Sequence, residues 1–258
     1  MKLREIIAIL EQAAPRRLQD DYDNSGLQTG FPEDEIDKIL VCLDVTEAIV
    51  DEAAAKGCNL IVSHHPLIFH PLRQVSDSTY QQRCVVKAIR SGIAIYSAHT
   101  SLDNAPGGVN HKIAQLLGIE NLQWLSAKEG CDAGSGVVGE LKAAVRDDVF
   151  MDIVKDIFKV ECLRHSALEG KMIKKVAICG GAGAFLLRDA IRVEADCFIC
   201  GEFHYHDYFE NKGVLLAELG HYQSEQYTCE LIYEILQKGC PDLDCVITEI
   251  NTNQTRYR

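Results

Sequence analysis

Positive charge is scarce in this chain. Of its 258 residues, 26 are lysine or arginine and 38 are aspartate or glutamate, a formal net charge of −12. No basic run compensates locally, which argues against a nucleic-acid partner bound by phosphate neutralisation. An acidic protein can still hold a small anionic substrate when metal ions supply the positive charge. No apolar stretch approaches a transmembrane span, so no membrane partner is expected. A secretory pattern is missing too: MKLREIIAILEQAAPRR carries charges inside its apolar stretch, and Leu3, Ile6, Ile7 and Leu10 are spaced as in an amphipathic helix. No low-complexity segment stands out.

Cysteine, by contrast, is abundant. The count of eleven is odd, and Cys42, Cys179, Cys197 and Cys200 sit in apolar runs, as expected of reduced, buried thiols in a cytoplasmic protein. The CFIC spacing of Cys197 and Cys200 has no second CxxC to pair with, so it reads as part of a buried strand rather than a metal or redox motif.

Two stretches share one plan. In the first, KILVCLD (38–44), NLIVSHH (59–65) and GIAIYSAH (92–99) read as strands, with helices over 46–57 and 79–91. In the second, KKVAICGG (174–181), DCFICGE (196–202) and GVLLAELGH (213–221) read as strands, with a helix over 184–195. Near-continuous apolar strands alternating with helices predict an α/β fold: two related halves, residues 1–125 and 126–258, with mainly parallel sheets flanked by helices and a metal cleft between them. A connection over 120–170 contributes a strand at 136–145 and a helix near 147–159, and CVITEINTN near the C-terminus reads as an edge strand.

The chemistry gathers at the strand ends. A proline follows His64 and His65, so the strand stops there. The third strand of each half starts at a glycine, Gly92 or Gly213, and ends at a histidine, His99 or His221. A carboxylate follows four residues later, Asp103 or Glu225. In parallel α/β sheets ligands bind beyond the carboxyl ends of the strands. These six groups therefore predict a metal site. They exceed what one tetrahedral structural zinc takes, and a bridging carboxylate can join ions about 3.5–4 Å apart. Mixed imidazole and carboxylate donors suit zinc, iron, manganese, nickel or cobalt without choosing among them. His99 either orients a ligand or carries protons. Glu202, His206 and Asp44 also lie at or just after strand ends, within reach of a supporting role. His70, His111 and His165 read as ordinary surface or hydrogen-bonded histidines. GGAG (180–183) reads as a tight βα turn, since Leu186 stands where a dinucleotide fingerprint needs its third glycine.

DNSGLQTG (23–30), SHHP (63–66), HTSLDNAPGG (99–108), GEFHYHD (201–207) and GHYQSE (220–225) together resemble the signature blocks of the NGG-one-interacting-factor-three-like family, whose members are often labelled GTP cyclohydrolase I type 2 homologues. The blocks come in family order, and the chain matches the short form without an inserted middle domain. One departure is Tyr22, where the family usually has tryptophan. The resemblance implies a dinuclear centre of two divalent metal ions per chain, with His64, His65, Asp103, His221 and Glu225 as ligands and His99 beside them as the candidate catalytic residue. It also implies a ring-shaped homohexamer. The activity it points to is metal-dependent hydrolysis of a nucleotide or related heterocyclic C–N bond. The alternatives are a metal carrier or insertion factor, or a toroidal scaffold without turnover.

Overall fold

Short strands such as Leu60–Ser63, Ala94–Ser97 and Cys197–Cys200, buried along their whole length, form the middle of each sheet, and strands this brief depend on their neighbours for stability. In the computed structural model, which describes residues 1–256, the chain runs through α1 (Leu3–Ala13), β1 (Gly26–Thr29), β2 (Lys38–Cys42), α2 (Glu47–Ala55), β3 (Leu60–Ser63), α3 (Tyr80–Arg90), β4 (Ala94–Ser97) and α4 (His99–Asp103). It continues through α5 (Val109–Leu116), β5 (Ile119–Ala127), β6 (Gly134–Arg146), α6 (Asp147–Phe158), β7 (Arg164–His165), β8 (Met172–Cys179), α7 (Leu187–Arg192), β9 (Cys197–Cys200), β10 (Leu215–Glu218) and α8 (His221–Glu225). It ends with α9 (Thr228–Gly239) and β11 (Asp244–Ile247). Two compact units result. One comprises Met1–Leu102 with the segment from Thr228 onward, the other Asp103–Tyr227.

This division differs from the expected 125/126 boundary. The C-terminal helix and strand belong with the first unit because β11 pairs in parallel with β2, Asp244 opposite Lys38 through Ile247 opposite Val41. Helix α9 also packs on α1. That approach is close: a Cβ on Gly239 would lie 2.2 Å from Ile9 Cγ2. Residues 103–125 join the second unit because β5 pairs with β6, and α5 packs against β5, β6 and β8.

The first unit holds a five-stranded sheet, β1-β4-β3-β2-β11. It is parallel except for β1, which runs antiparallel to β4. Every residue of β3 and β4 is buried, as continuous apolar strands covered on both faces must be. Helices α2 and α3 cover one face, burying Ile49, Val50 and Ala53 with Val85 and Ala88 against Leu40, Ile61 and Ile95. Burying an aliphatic side chain contributes about 1.5–3 kcal/mol. Threonines start both helices: Thr46 Oγ1 accepts from Ile49 N at 3.3 Å, and Thr79 Oγ1 accepts from Gln82 N at 3.3 Å. Helix α1 buries Leu3, Ile6 and Leu10, the face its spacing predicts.

The second unit has a six-stranded sheet, β5-β6-β8-β9-β10-β7. Only β8, β9 and β10 pair in parallel; β5/β6, β6/β8 and β10/β7 are antiparallel. "Mainly parallel" therefore describes the first sheet, while the second is mixed. The expected connection over 120–170 is in fact half of this sheet. Helix α6 is anchored by Asp147, whose Oδ2 accepts from Glu169 N and Gly170 N at 2.9 Å and Lys171 N at 3.2 Å.

All eleven cysteines are free thiols. Burial pushes Cys200 up to about 12, so it stays protonated in the unit's core rather than serving as a thiolate ligand. Among the described residues no helix is long and apolar enough to cross a membrane.

Candidate metal centre

In the first unit, the strand ends gather three imidazoles. The β3 backbone runs past Ser63 without losing its neighbour: His64 N donates to Cys42 O at 3.2 Å and His65 N to Leu43 O at 3.0 Å. On the other side His99 N donates to His64 O at 2.9 Å. His64 is fully buried. The His64–His65, His64–His99 and His65–His99 ring centroids lie 4.8, 5.6 and 5.7 Å apart.

Two of these rings are held by carboxylates. His65 Nδ1 sits 2.7 Å from Asp44 Oδ1, and Asp44 Oδ2 accepts from Thr252 Oγ1 at 2.7 Å. Burial alone would raise the Asp44 carboxyl, but the hydrogen bond and charge of His65, with the Thr252 hydroxyl, hold it below the ordinary value. His99 Nδ1 sits 2.5 Å from Asp23 Oδ1. Asp23 also accepts from Asn24 N at 2.6 Å, Ser25 Oγ at 2.7 Å, Thr100 N at 3.1 Å and the Thr100 hydroxyl. Burial again works against ionisation, and the bonds from His99, Thr100 and Ser25 override it, holding Asp23 well below the usual carboxylate range. Asp23 escaped the sequence reading. It lies in the DNSG turn, 76 residues from its partner, where an acid flanked by Asn, Ser and Gly was the available signal.

The second unit builds its group around α8. Gly220, at φ +92, turns the chain into the helix. His221 Nε2 lies 3.2 Å from Glu225 Oε2, one helical turn on, and His221 Nδ1 lies 3.2 Å from Glu202 Oε1. Glu225 is buried. A glycine makes room for it: a Cβ on Gly181 would stand 2.3 Å from Glu225 Oε1 and 3.4 Å from His221 Nε2. Three amides of the GGAG turn are already engaged: Gly180 N donates to Asn110 Oδ1 and Gly181 N to Ser224 Oγ, both at 2.9 Å, and Gly183 N to Gly181 O at 3.0 Å. Glu202 also lines a cleft of about 570 Å³ with Arg164, Phe185, His204 and Asp207, within the size range of small-molecule sites.

Five of the six expected residues thus fall into an imidazole group, His64, His65 and His99, and a mixed pair, His221 and Glu225. Asp103 is the last residue of α4. Asp44 and Glu202 take supporting positions. His206 does not; it is exposed and packs edge-on against Tyr205 and beside the tilted ring of Phe209.

The backbone corrects one expected equivalence. In the first unit Ser63 pairs with Ser97, and Ala98 N and His99 N continue the ladder onto Ser63 O and His64 O. In the second, Cys200 pairs with Glu218, and Leu219 N and Gly220 N continue onto Cys200 O and Gly201 O. His99 therefore matches Gly220, not His221, and takes a positive φ of +30 as Gly220 does.

These features define an α/β protein whose two units carry imidazole and carboxylate donors at the ends of parallel strands. The Duf34/NIF3 (NGG1p interacting factor 3) family model matches residues 1–254, and the chain belongs to that family. A Campylobacter jejuni protein named GTP cyclohydrolase 1 type 2 homolog is 32% identical over 259 residues, spanning 100% of both chains. A Helicobacter pylori protein named GTP cyclohydrolase 1 type 2 is 30% identical over 239 residues, spanning 91% of each. Among solved structures, a Bacillus cereus protein described as related to NIF3 shares the fold, with a TM-score of 0.90, 22% identity and coverage of 100% of this chain and 99% of that one.

Proposed function

We propose that this protein is a metal-dependent hydrolase acting on a nucleotide or a related heterocyclic C–N bond. His64, His65, Asp103, His221 and Glu225 would hold two divalent ions. The observation that carries this reading is the Asp44–His65 bond. A ligating histidine characteristically donates its other ring N–H to a carboxylate, which fixes the ring and raises its basicity. Asp44 is the carboxylate placed to accept from His65 Nδ1, which would turn the lone pair of Nε2 toward an ion. The donor chemistry fits, and so does the space that Gly181 leaves beside Glu225 and His221. When bound, the ions would acidify a water and polarise the bond to be broken. His99 moves the proton. The relatives named as GTP cyclohydrolase homologues support a nucleotide substrate. A homohexameric ring and a cytoplasmic setting belong to the same proposal, the latter supported by eleven free thiols.

Elemental mass spectrometry on native protein, purified without chelator or affinity tag, tests the reading beside His65→Ala and Glu225→Ala. About two ions per chain are expected, falling sharply in both variants, with metal-dependent turnover of GTP or another nucleotide. No metal and no uptake of zinc, manganese or iron would sink it. Bound metal that passes to an apo client without turnover would instead identify a carrier.

A further inference from the structure

We infer that Asp23 is a positioning residue: it holds His99 as the Nδ1–H tautomer and leaves Nε2 with the lone pair. The hydrogens around Asp23 leave one arrangement. Backbone amides can only donate, so Asn24 N fills a site on Asp23 Oδ1 and Thr100 N one on Oδ2. The Thr100 hydroxyl already accepts from Asp20 N at 2.9 Å, so its single proton goes to Asp23 Oδ2. The Asp23 side chain is shut off from water. A buried carboxylate surrounded by obligatory donors is ionised, and it leaves His99 Nδ1 one role, that of donor. In a neutral imidazole the other nitrogen is then the acceptor.

The backbone points the same way. At the matching place the second unit uses glycine, the residue that adopts positive φ without cost. The first unit keeps an imidazole there, with φ +30, and Asp23 ties both that ring and the next residue's amide and hydroxyl. Strain held in place by surrounding hydrogen bonds marks a side chain that is needed where it stands.

The tautomer has a consequence, which rests on the hydrolase reading. His99 Nε2 takes the proton from the attacking water as the water's oxygen bonds to the substrate carbon. The ring becomes an imidazolium beside the Asp23 carboxylate, which stays ionised and stabilises it. The same proton then passes from Nε2 to the leaving nitrogen as the C–N bond breaks. Nothing is oxidised or reduced, and both residues return to their starting state.

Long-range ¹H–¹⁵N correlation spectra of histidine-labelled, zinc-loaded protein test the inference, with the His99 signals assigned by difference against His99→Gln. The wild type is expected to show, in the neutral ring, a protonated Nδ1 and a pyridine-like Nε2. Asp23→Asn, whose amide can donate to Nδ1, is expected to move the proton to Nε2 in a large fraction of molecules, and Asp23→Glu to restore it. An Nε2–H tautomer in the wild type overturns the inference even if no variant folds. So does an unchanged pattern in a folded Asp23→Asn. Absence of turnover with an Asp23-dependent tautomer would remove the hydrolase reading and leave the positioning role standing.

Discussion

At the ends of three consecutive parallel strands, the first unit carries Asp44, His64, His65 and His99. The matching backbone positions of the second unit carry Gly181, Gly201, Glu202 and Gly220, as the pairings of Cys42 with Ser63 and of Cys179 with Cys200 establish. One frame has thus been furnished in two ways. In the first unit, side chains from the strand ends make the group, and carboxylates from Asp44 and the distant Asp23 brace them. In the second, three of the four positions are glycine, and the emptied space admits Glu225 and His221 from the following helix. Glu202, standing where His65 does, becomes the brace rather than the braced, reaching His221 Nδ1 at 3.2 Å. Adding side chains at strand ends and deleting them there are alternative routes to a fixed constellation.

The glycines offer the largest expected effects. A Cβ on Gly201 would stand 2.4 Å from Gly181 O and 2.8 Å from Ser224 Oγ. Backbone cannot yield as a flexible side chain does, so Gly201→Ala is expected to destabilise the protein by about 1–3 kcal/mol, seen as a lower denaturation midpoint. Gly181→Ala combines a backbone at φ +60 with a Cβ in the place of Glu225 Oε1. It is expected to lower metal content toward that of Glu225→Ala. Wild-type metal loading in Gly181→Ala would show that the cleared space is incidental.

Next come the braces. Asp44→Asn and Glu202→Gln keep volume and remove charge. Each is expected to weaken metal affinity about 10–100-fold, read by competition with a chromophoric chelator. The two need not be equal. Asp44 is half-buried, at 36% side-chain exposure, and doubly bonded, whereas Glu202 is 57% exposed with a longer contact. A larger loss at Glu202 than at Asp44 would reverse the order that burial predicts.

How much of this could be read beforehand follows from where each signal lies. His64 and His65 stand out because a proline ends their strand, and His221 and Glu225 because a glycine-led strand precedes them. What spacing cannot carry is register. His99-x-x-x-Asp103 and His221-x-x-x-Glu225 match as strings, yet the ladder hydrogen bonds set His99 against Gly220. Long-range pairing was equally hidden. Nothing local in 244–247 says that it joins β2 rather than the nearer sheet. Nor does anything in the DNSG turn say that Asp23 will meet an imidazole 76 residues away. Strand patterns are local, while partners are chosen by the finished fold.

The smallest expected effect is the dependence of stability on pH, and it concerns the braced first unit. Asp23 lies well below an ordinary carboxylate in the folded chain, against about 3.9 when unfolded. A group depressed in this way contributes stability that is fully present above the unfolded value and lost as pH falls through the folded one. Unfolding free energy is therefore expected to be insensitive to Asp23 near neutrality and to decline below about pH 4. Asp23→Asn has no carboxyl to protonate, so its stability is lower at neutral pH but its acid limb is shallower. Denaturant midpoints between about pH 2 and 6 would reveal the difference. Parallel acid limbs for the two proteins would mean that the bonds to Asp23 confer no net preference for its ionised form.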